Sequence, residues 1–342
     1  MTVQSHLCKH KMLSKVAYLI NRFVQKNAPP CGYSSLFLTN LSESEQLQID
    51  NQKICDMIME EKMKIAYTVK EVREQVKAWR KEGLTVGLVP TMGYLHEGHA
   101  SLMKKAVEQN DKVVASVFVN PMQFGPTEDL ESYPRDLEKD CKLCESIGVD
   151  LVFHPEPEEM YAPDFCTCVD MDVLSKTLCG KSRPIHFRGV CTVVTKLFNI
   201  VTPDRAYFGQ KDAQQLAIIR RMVRDLNMDI EIIGCPIIRE EDGLAKSSRN
   251  TYLNEEERQA ALILSKAIFA GQKMVEDGER DAATVKKAIT ELIESEPLAK
   301  IDYVEVVDGL SMQPVENIEA PTLVAMAVYI GKTRLIDNFI FE

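Results

Sequence analysis

No apolar run in this 342-residue chain approaches the length needed to cross a bilayer, which argues against an integral membrane protein. Positive charge is in deficit. The 41 Lys and Arg face 51 Asp and Glu, for a net charge of −10 and a pI near 5.3. That balance speaks against a nucleic-acid-binding surface and leaves room only for local basic patches. The ten cysteines follow no small-domain disulfide framework and no secretory apolar region precedes them, so reduced thiols in the cytoplasm are expected. Cys141 and Cys144 form a C-x-x-C in a helical pattern, and Cys166 and Cys168 a C-x-C in an expected strand. Together they could bind zinc, but filler thiols are the plainer reading. Neither a Walker A loop nor a GxGxxG fingerprint is present.

What is there begins with ordinary globular composition, 45% hydrophobic and 27% charged, in a chain long enough for two domains. Residues 1–62 differ from the rest. Their first acidic residue is Glu43, preceded by Lys9, Lys11, Lys15, Arg22 and Lys26, with an amphipathic flavour around Leu19, Ile20 and Phe23. They read as a leader, disordered or targeting and dispensable for chemistry, and Met63 makes a natural start for the folded part.

The chain is organised around residues 86–106. An apolar strand over 86–89 runs into the turn Pro90-Thr91-Met92-Gly93, and helical composition follows from His96. A strand feeding a glycine turn and then a helix presents free N–H groups and the positive end of the helix dipole, a setting for phosphate. His96 and His99 share one face of the first turn, and Gly98 leaves the surface between them bare. Two surface histidines beside a sharp turn is the plain alternative. A second strand over 112–119 ends in Asn120-Pro121-Met122-Gln123, at the carboxyl edge where open α/β sheets bind ligands.

Thr68 and Glu71 form a capping box for a helix striped with Val69, Val72, Val76 and Trp79. A helix over 137–147 and a strand over 149–153 continue the alternation. Residues 180–189 read as a loop rich in Lys181, Arg183, His186 and Arg188, either solvated or binding an anion. After a helix over 190–200 and a strand over 206–208, Gly209-Gln210-Lys211-Asp212 repeats the strand-to-helix junction. Lys211 can reach phosphate there, and Gln214 and Gln215 can offer amides to a small polar substrate. The segment 239–250 contains Lys246, Ser247, Ser248 and Arg249, the composition of a phosphate clamp. Helices over 255–276 and 281–294 then precede strands near 303–307 and 323–330, suggesting a smaller α+β domain. The expected fold is α/β, with a nucleotide-binding domain over 63–239 and a lid domain over 240–342, hinged near Arg239.

Taken together, PTMGYLHEGH, FVNPMQFGPTEDLESYPRD, HFRGV, YFGQKDAQQL and DGLAKSSRN closely resemble the pantothenate synthetase (pantoate–β-alanine ligase) family, from about Lys64 to Glu342. HEGH also looks like the HIGH signature of the wider nucleotidyltransferase group. The resemblance implies a Rossmann-like domain with a smaller lid and a cytoplasmic homodimer. It implies a reaction that joins pantoate to β-alanine with ATP and Mg²⁺ through a pantoyl adenylate, releasing AMP and pyrophosphate. By position, Met92, Gly93, Tyr94, Leu95, His96, Glu97, Gly98 and His99 would line ATP, with His99 as proton donor. Gln123 would hold pantoate beside β-alanine, and Gln215 would hold pantoate. Gly209, Gln210, Lys211 and Asp212 would contact ATP, Ile238 would meet the nucleotide, and Lys246, Ser247, Ser248 and Arg249 would close over its phosphates. Asp136 and Asp140 are acids near the site, neither assigned to the metal. A nucleotidyltransferase that adenylylates a phosphorylated acceptor is the alternative enzyme, and a silent nucleotide sensor the alternative of another class.

Overall fold

The structure, a computed structural model, describes residues 63–342 except Thr127; the reading of the leader lies outside the described residues. A sheet of six strands forms the larger part: β1 (Lys64–Ala66), β2 (Val86–Thr91), β3 (Lys112–Val117), β4 (Leu151–Phe153), β5 (Arg205–Gly209) and β6 (Glu231–Cys235). They lie in the order β1-β4-β3-β2-β5-β6, with every pairing parallel. Between them run α1 (Val69–Lys81), α2 (Glu97–Gln109), α3 (Leu137–Ile147), α4 (Pro157–Met160), α5 (Leu178–Ser182), α6 (His186–Val201) and α7 (Ala213–Asp225).

Alternation along the strands divides the sheet into two buried faces. Leu88, Val114, Phe153 and Phe208 pack with α1, α6 and α7 on one side. Val89, Val113, Ala115, Val152 and Tyr207 pack with α2 and α3 on the other. A parallel sheet covered on both faces needs near-continuous apolar strands, which is why β3 is buried along its whole length. The capping box of α1 is formed: Glu71 N–H donates to Thr68 Oγ1 at 3.2 Å and Thr68 N–H to Glu71 Oε2 at 2.9 Å.

The carboxyl-terminal part comprises α8 (Glu255–Ala260), α9 (Leu262–Glu276), α10 (Ala282–Glu294) and an antiparallel sheet of β7 (Ala299–Asp308), β8 (Thr322–Ile330) and β9 (Thr333–Phe341). Val324, Met326, Val328 and Ile330 of β8 face α9 and α10. Leu323 and Ala325, on its other face, join the core of the large sheet.

Several expectations are corrected. The segment 180–189 is not a loop, because α5 and the first turn of α6 occupy it. Helix α6 starts at His186, four residues before the apolar run that marks it in the sequence. The single helix expected over 255–276 is two helices meeting at Ala261. Strand β1 carries no signal in the sequence; three residues are too few to show a period. Cys166 and Cys168 lie outside any strand and are exposed, while Cys144 is buried on α3.

Candidate functional site

In this strand order the chain moves from β2 outward to β3 and β4, then returns to β5 and β6 on the other side. The order therefore reverses between β2 and β5, and loops leaving their carboxyl ends part to open a crevice. The turn after β2 carries Met92 to His96, and the turn after β5 carries Gln210 to Asp212. A cavity of about 190 Å³ lies there, lined by Met92, His96, Gly98, His99, Gln123, Gly209, Lys211, Asp212, Gln215, Ile238 and Lys246. With Val190 of HFRGV also on its wall, it gathers residues of all five quoted motifs. A larger cavity, about 840 Å³, shares Lys211, Asp212 and Gln215 with it and adds Ser247 and Arg249.

The two histidines hold the turn between them. His96 is the N-cap of α2, and its Nδ1 accepts the Gly98 N–H at 3.1 Å. His99 Nδ1 accepts the His96 N–H at 3.3 Å, and the ring centroids stand 4.1 Å apart. A ring nitrogen that accepts carries no proton, so each neutral imidazole has its proton on Nε2. Burial first, then the charge of Lys211, pushes His96 down to about 4. Burial and neighbouring positive charge hold His99 well below the usual histidine range. The pair therefore consists of two neutral Nε2–H donors. Gly98 lines the cavity and also makes room for the His96 ring. A Cβ there would stand 2.8 Å from His96 Cε1, so the space above Gly98 belongs to the His96 ring.

Asp140 shapes the loop from behind. Its buried carboxylate accepts the N–H of Tyr94 at 2.8 Å and of Leu95 at 2.7 Å. Burial pushes its pKa up, against the pull of those two bonds. Gly93 and Tyr94 both have positive φ, 83° and 49°, a strained pairing for tyrosine that the carboxylate holds in place. The Leu95 side chain lies in the core, and Gly93, Tyr94, Leu95 and Glu97 do not line the smaller cavity. The Tyr94 and Leu95 amides are therefore committed to Asp140 and that of Gly93 to Thr91 Oγ1, and this loop meets the cavity through its imidazoles. Asp136 caps α3 by accepting the Lys139 N–H at 3.0 Å.

Gln123 is fixed at both ends. Asn120 Nδ2 donates to Gln123 Oε1 and to the Gly189 carbonyl, each at 3.1 Å, and Tyr161 Oη donates to Asn120 Oδ1 at 2.7 Å. With its oxygen taken, Gln123 turns Nε2 toward Met92 Sδ, at 3.0 Å, on the cavity wall. Its backbone carbonyl faces His186 Nδ1 at 3.0 Å and Arg183 Nη2 at 3.4 Å. Burial, then Arg183, pushes His186 down to about 3, so a neutral ring donates from Nδ1. Arg183 forks onto Glu128, and Arg188 pairs with Asp170. Three of the residues read as an anion-binding loop are thus engaged within the protein, two of them supporting Gln123. Gln214, expected to face a substrate, spends both ends of its amide on Leu174, Thr177 and Cys179 backbone atoms; both glutamines border the larger cavity, and Gln215 alone of the two borders the smaller.

The clamp residues divide. Ile238 accepts the Lys246 N–H at 2.9 Å, closing the hairpin that presents Lys246, and Lys246 Nζ stands 3.0 Å from Glu97. Ser247 caps its own short turn, Ser248 Oγ donates to the Tyr94 carbonyl at 3.2 Å, and Arg249 pairs with Asp129 at 2.9 Å. Burial opposes charge on Asp129, but Arg249 outweighs it and holds the carboxyl low. Among the described residues, the acid beside Lys211 is its neighbour Asp212, at 3.9 Å. Sequence reasoning missed the supporting roles of Asp140, Asn120, Tyr161 and Asp129. Only Asn120 carried a local signal, as an N-cap residue directly before a proline.

A family model described as pantoate-beta-alanine ligase matches residues 64–340. A pantothenate synthetase of Ruminiclostridium cellulolyticum is 68% identical over 279 residues, 82% of this chain and 99% of its own. That of Enterococcus faecalis is 63% identical over 280 residues, again 82% and 99%. Among solved structures, pantothenate synthetase from Thermus thermophilus superposes with a TM-score of 0.76 at 45% identity, over 81% of this chain and 99% of that one. A pantoate-beta-alanine ligase from Francisella tularensis, complexed with beta-gamma ATP and beta-alanine, gives 0.68 at 35% identity, over 82% and 98%. A parallel-sheet crevice and a match across nearly all the described residues thus lead to one conclusion: the chain belongs to the pantoate–β-alanine ligases, enzymes that join those two substrates.

Proposed function

We propose that this chain drives the ligation with ATP, through a pantoyl adenylate. A carboxylate does not accept an amine directly, because its carbon is electron-rich and oxide is a poor leaving group. In the proposed first step a pantoate carboxylate oxygen bonds to the α-phosphorus and the bond to pyrophosphate breaks. In the second, the unprotonated β-alanine amine bonds to the acyl carbon, the acyl carbon–oxygen bond to AMP breaks, and the proton the nitrogen sheds passes to solvent. Negative charge gathers on phosphate oxygens in the first step, so fixed donors aimed there lower its barrier. His96 and His99 would supply Nε2–H donors that need no proton movement, and Lys211 a point charge. The observation carrying this reading is that both imidazoles are locked in the donor tautomer on the cavity that Lys211 also lines.

Gln123, its Nε2 turned outward, and Gln215 would hold pantoate. At about 190 Å³ the smaller cavity suits a small acid and the reacting phosphate, since drug-sized ligands occupy about 300–1,000 Å³. The remainder of the nucleotide would extend past Ile238 and the clamp residues Lys246 to Arg249. For Mg²⁺, Asp140 is consumed by two amides and Asp136 by a helix cap, which leaves Asp212 as the carboxylate on the smaller cavity's wall that would help hold an ion carried mainly by the triphosphate. No step is routed through the ion.

In the second step the gain comes from holding amine and acyl carbon together, worth roughly 7–11 kcal/mol in well-oriented systems. No helix among the described residues is long and apolar enough to cross a membrane. A cytoplasmic homodimer is proposed from the resemblance, and sedimentation of the full chain tests the dimer. The test of mechanism is AMP and pyrophosphate release with each substrate omitted in turn. One AMP per amide, and pyrophosphate exchange into ATP that requires pantoate but not β-alanine, are expected. ADP formation, or exchange without pantoate, would overturn the adenylate.

A further inference from the structure

We infer that Asn338, on the last strand of the small sheet, is a positioning residue for the ligation, acting through Lys211. Its Nδ2 donates to the Lys211 carbonyl at 2.8 Å and to the Gln210 carbonyl at 3.1 Å. Both bonds land on the turn after β5, so the main chain that carries the cavity's least-engaged cation is tied to a strand 127 residues away in sequence. Only the amide nitrogen can donate to two carbonyls, which fixes the orientation of the side chain. Asn338 is 3% exposed, and its Oδ1 is buried with no partner among the described residues. An apolar side chain would avoid that orphan oxygen, so the two donated bonds are what the asparagine contributes.

The strand is itself anchored where Asn338 projects. Its neighbour Asp337, 2% exposed, takes both arms of Arg239 at 2.7 and 2.8 Å, and accepts the Asn338 N–H at 2.8 Å. Arg239 opens the hairpin that ends in Lys246, through its bridge to Ala245. Adjacent residues of β9 thus reach both rims of the site, Asp337 the clamp hairpin and Asn338 the Lys211 turn. The small sheet contacts both rims, through the Arg239–Asp337 pair on one side and the Asn338 amide on the other.

The inference rests on reading Lys211 as the phosphate-facing cation, and a double-mutant cycle separates the two. kcat/KM for ATP is measured for the parent chain, Asn338→Ala, Lys211→Ala and the double variant, with thermal unfolding of each. Misplacing a catalytic group by about 1 Å can cost on the order of 10²-fold, so Asn338→Ala should lose roughly 10–100-fold. On the Lys211→Ala background it should change the rate less than about threefold, because the group it positions is gone. KM for β-alanine should hold within about twofold in the single variant. An equal loss on both backgrounds, or parental kinetics for Asn338→Ala, overturns the inference while leaving Lys211 in place. Parental kinetics for Lys211→Ala alone overturns the reading beneath it. Should Asn338→Ala not fold, Asn338→Ser, which keeps one short donor, is carried through the same cycle and judged by the same outcomes.

Discussion

Lowering the pH tests the tautomer lock most directly. A free histidine, with a pKa near 6.5, is roughly three-quarters protonated at pH 6, whereas His96, pushed down to about 4, is protonated to about 1%. His99 lies well below the usual range as well. If both act as neutral Nε2–H donors, kcat/KM for ATP shows no inflection between pH 6 and 7 and falls only toward pH 4, where Nδ1 of His96 takes a proton and releases the Gly98 N–H. Stability follows a separate rule. The folded-state pKa values of His96, His99 and His186 lie below the unfolded value, so the unfolded chain binds protons first as pH falls from about 6.5. Their contribution is whole above pH 6.5 and is lost progressively as pH falls, down to about 4 for His96 and about 3 for His186. Unfolding near pH 5 should therefore take up to about three protons through these rings. Calorimetry in buffers of different ionisation enthalpy counts those protons, and a pH–rate profile on folded enzyme reads the catalytic limb. An acid limb in kcat/KM centred at pH 6–7, with the fold intact, would refute the neutral-donor reasoning.

Lys211→Ala should slow adenylate formation about 10²–10³-fold, the loss seen when one transition-state donor is removed; pyrophosphate exchange reads it. Gln123→Ala should raise KM for pantoate about 10–100-fold, as expected for losing a hydrogen bond to an anion, while KM for ATP stays near its parental value. Gly189→Ala distinguishes packing from helix propensity. In an isolated helix alanine would gain about 1 kcal/mol over glycine, but here its Cβ would fall 2.4 Å from the Met122 carbonyl oxygen and 2.5 Å from Gln123 Cα. A net loss of stability on the order of 1–3 kcal/mol and a raised KM for pantoate are expected, and a higher Tm would reject the contact. A chain beginning at Met63 should keep full turnover, since the family match starts at residue 64, and a large loss of kcat would reject the leader's dispensability.

The fold was legible wherever one residue pattern answers to one environment. Strand β3 reads as buried on both sides because it is, and α1 announces itself through Thr68, Glu71 and a stripe that ends at Trp79. The start of α6 was not legible. In its first turn only Phe187 is apolar, and His186 and Gly189 pack against the turn that holds Gln123, a demand that outweighs helix periodicity. At Ala261 no proline or glycine marks the break between α8 and α9, so composition alone reads one continuous helix.

At the candidate site the sequence revealed donors far better than what they are attached to. His96, His99 and Lys211 stand out because a local pattern, a strand-to-helix junction, surrounds each of them. Their supports are set by topology. Asp140 reaches Tyr94 across 46 residues, Asp129 reaches Arg249 across 120, and Asn338 reaches Lys211 across 127. Helical spacing couples residues three or four apart and says nothing about such pairs. The consequence is chemical as well as geometric. Read locally, the histidines are titratable cations beside free helix amides, fit to greet a phosphate with charge. Asp140, however, has taken the Tyr94 and Leu95 amides, and the two imidazoles have taken those of Gly98 and His96. What faces the cavity is then a pair of neutral donors beside one lysine, with Lys246 and Arg249 held by Glu97 and Asp129. A phosphate entering such a site gains fixed dipoles without first displacing a proton, and it competes with protein carboxylates for the remaining two cations. Replacing Glu97 or Asp129 by its amide should accordingly tighten nucleotide binding, measured by calorimetric titration, rather than weaken it. That sign is opposite to the one expected if either acid bound the nucleotide through a metal.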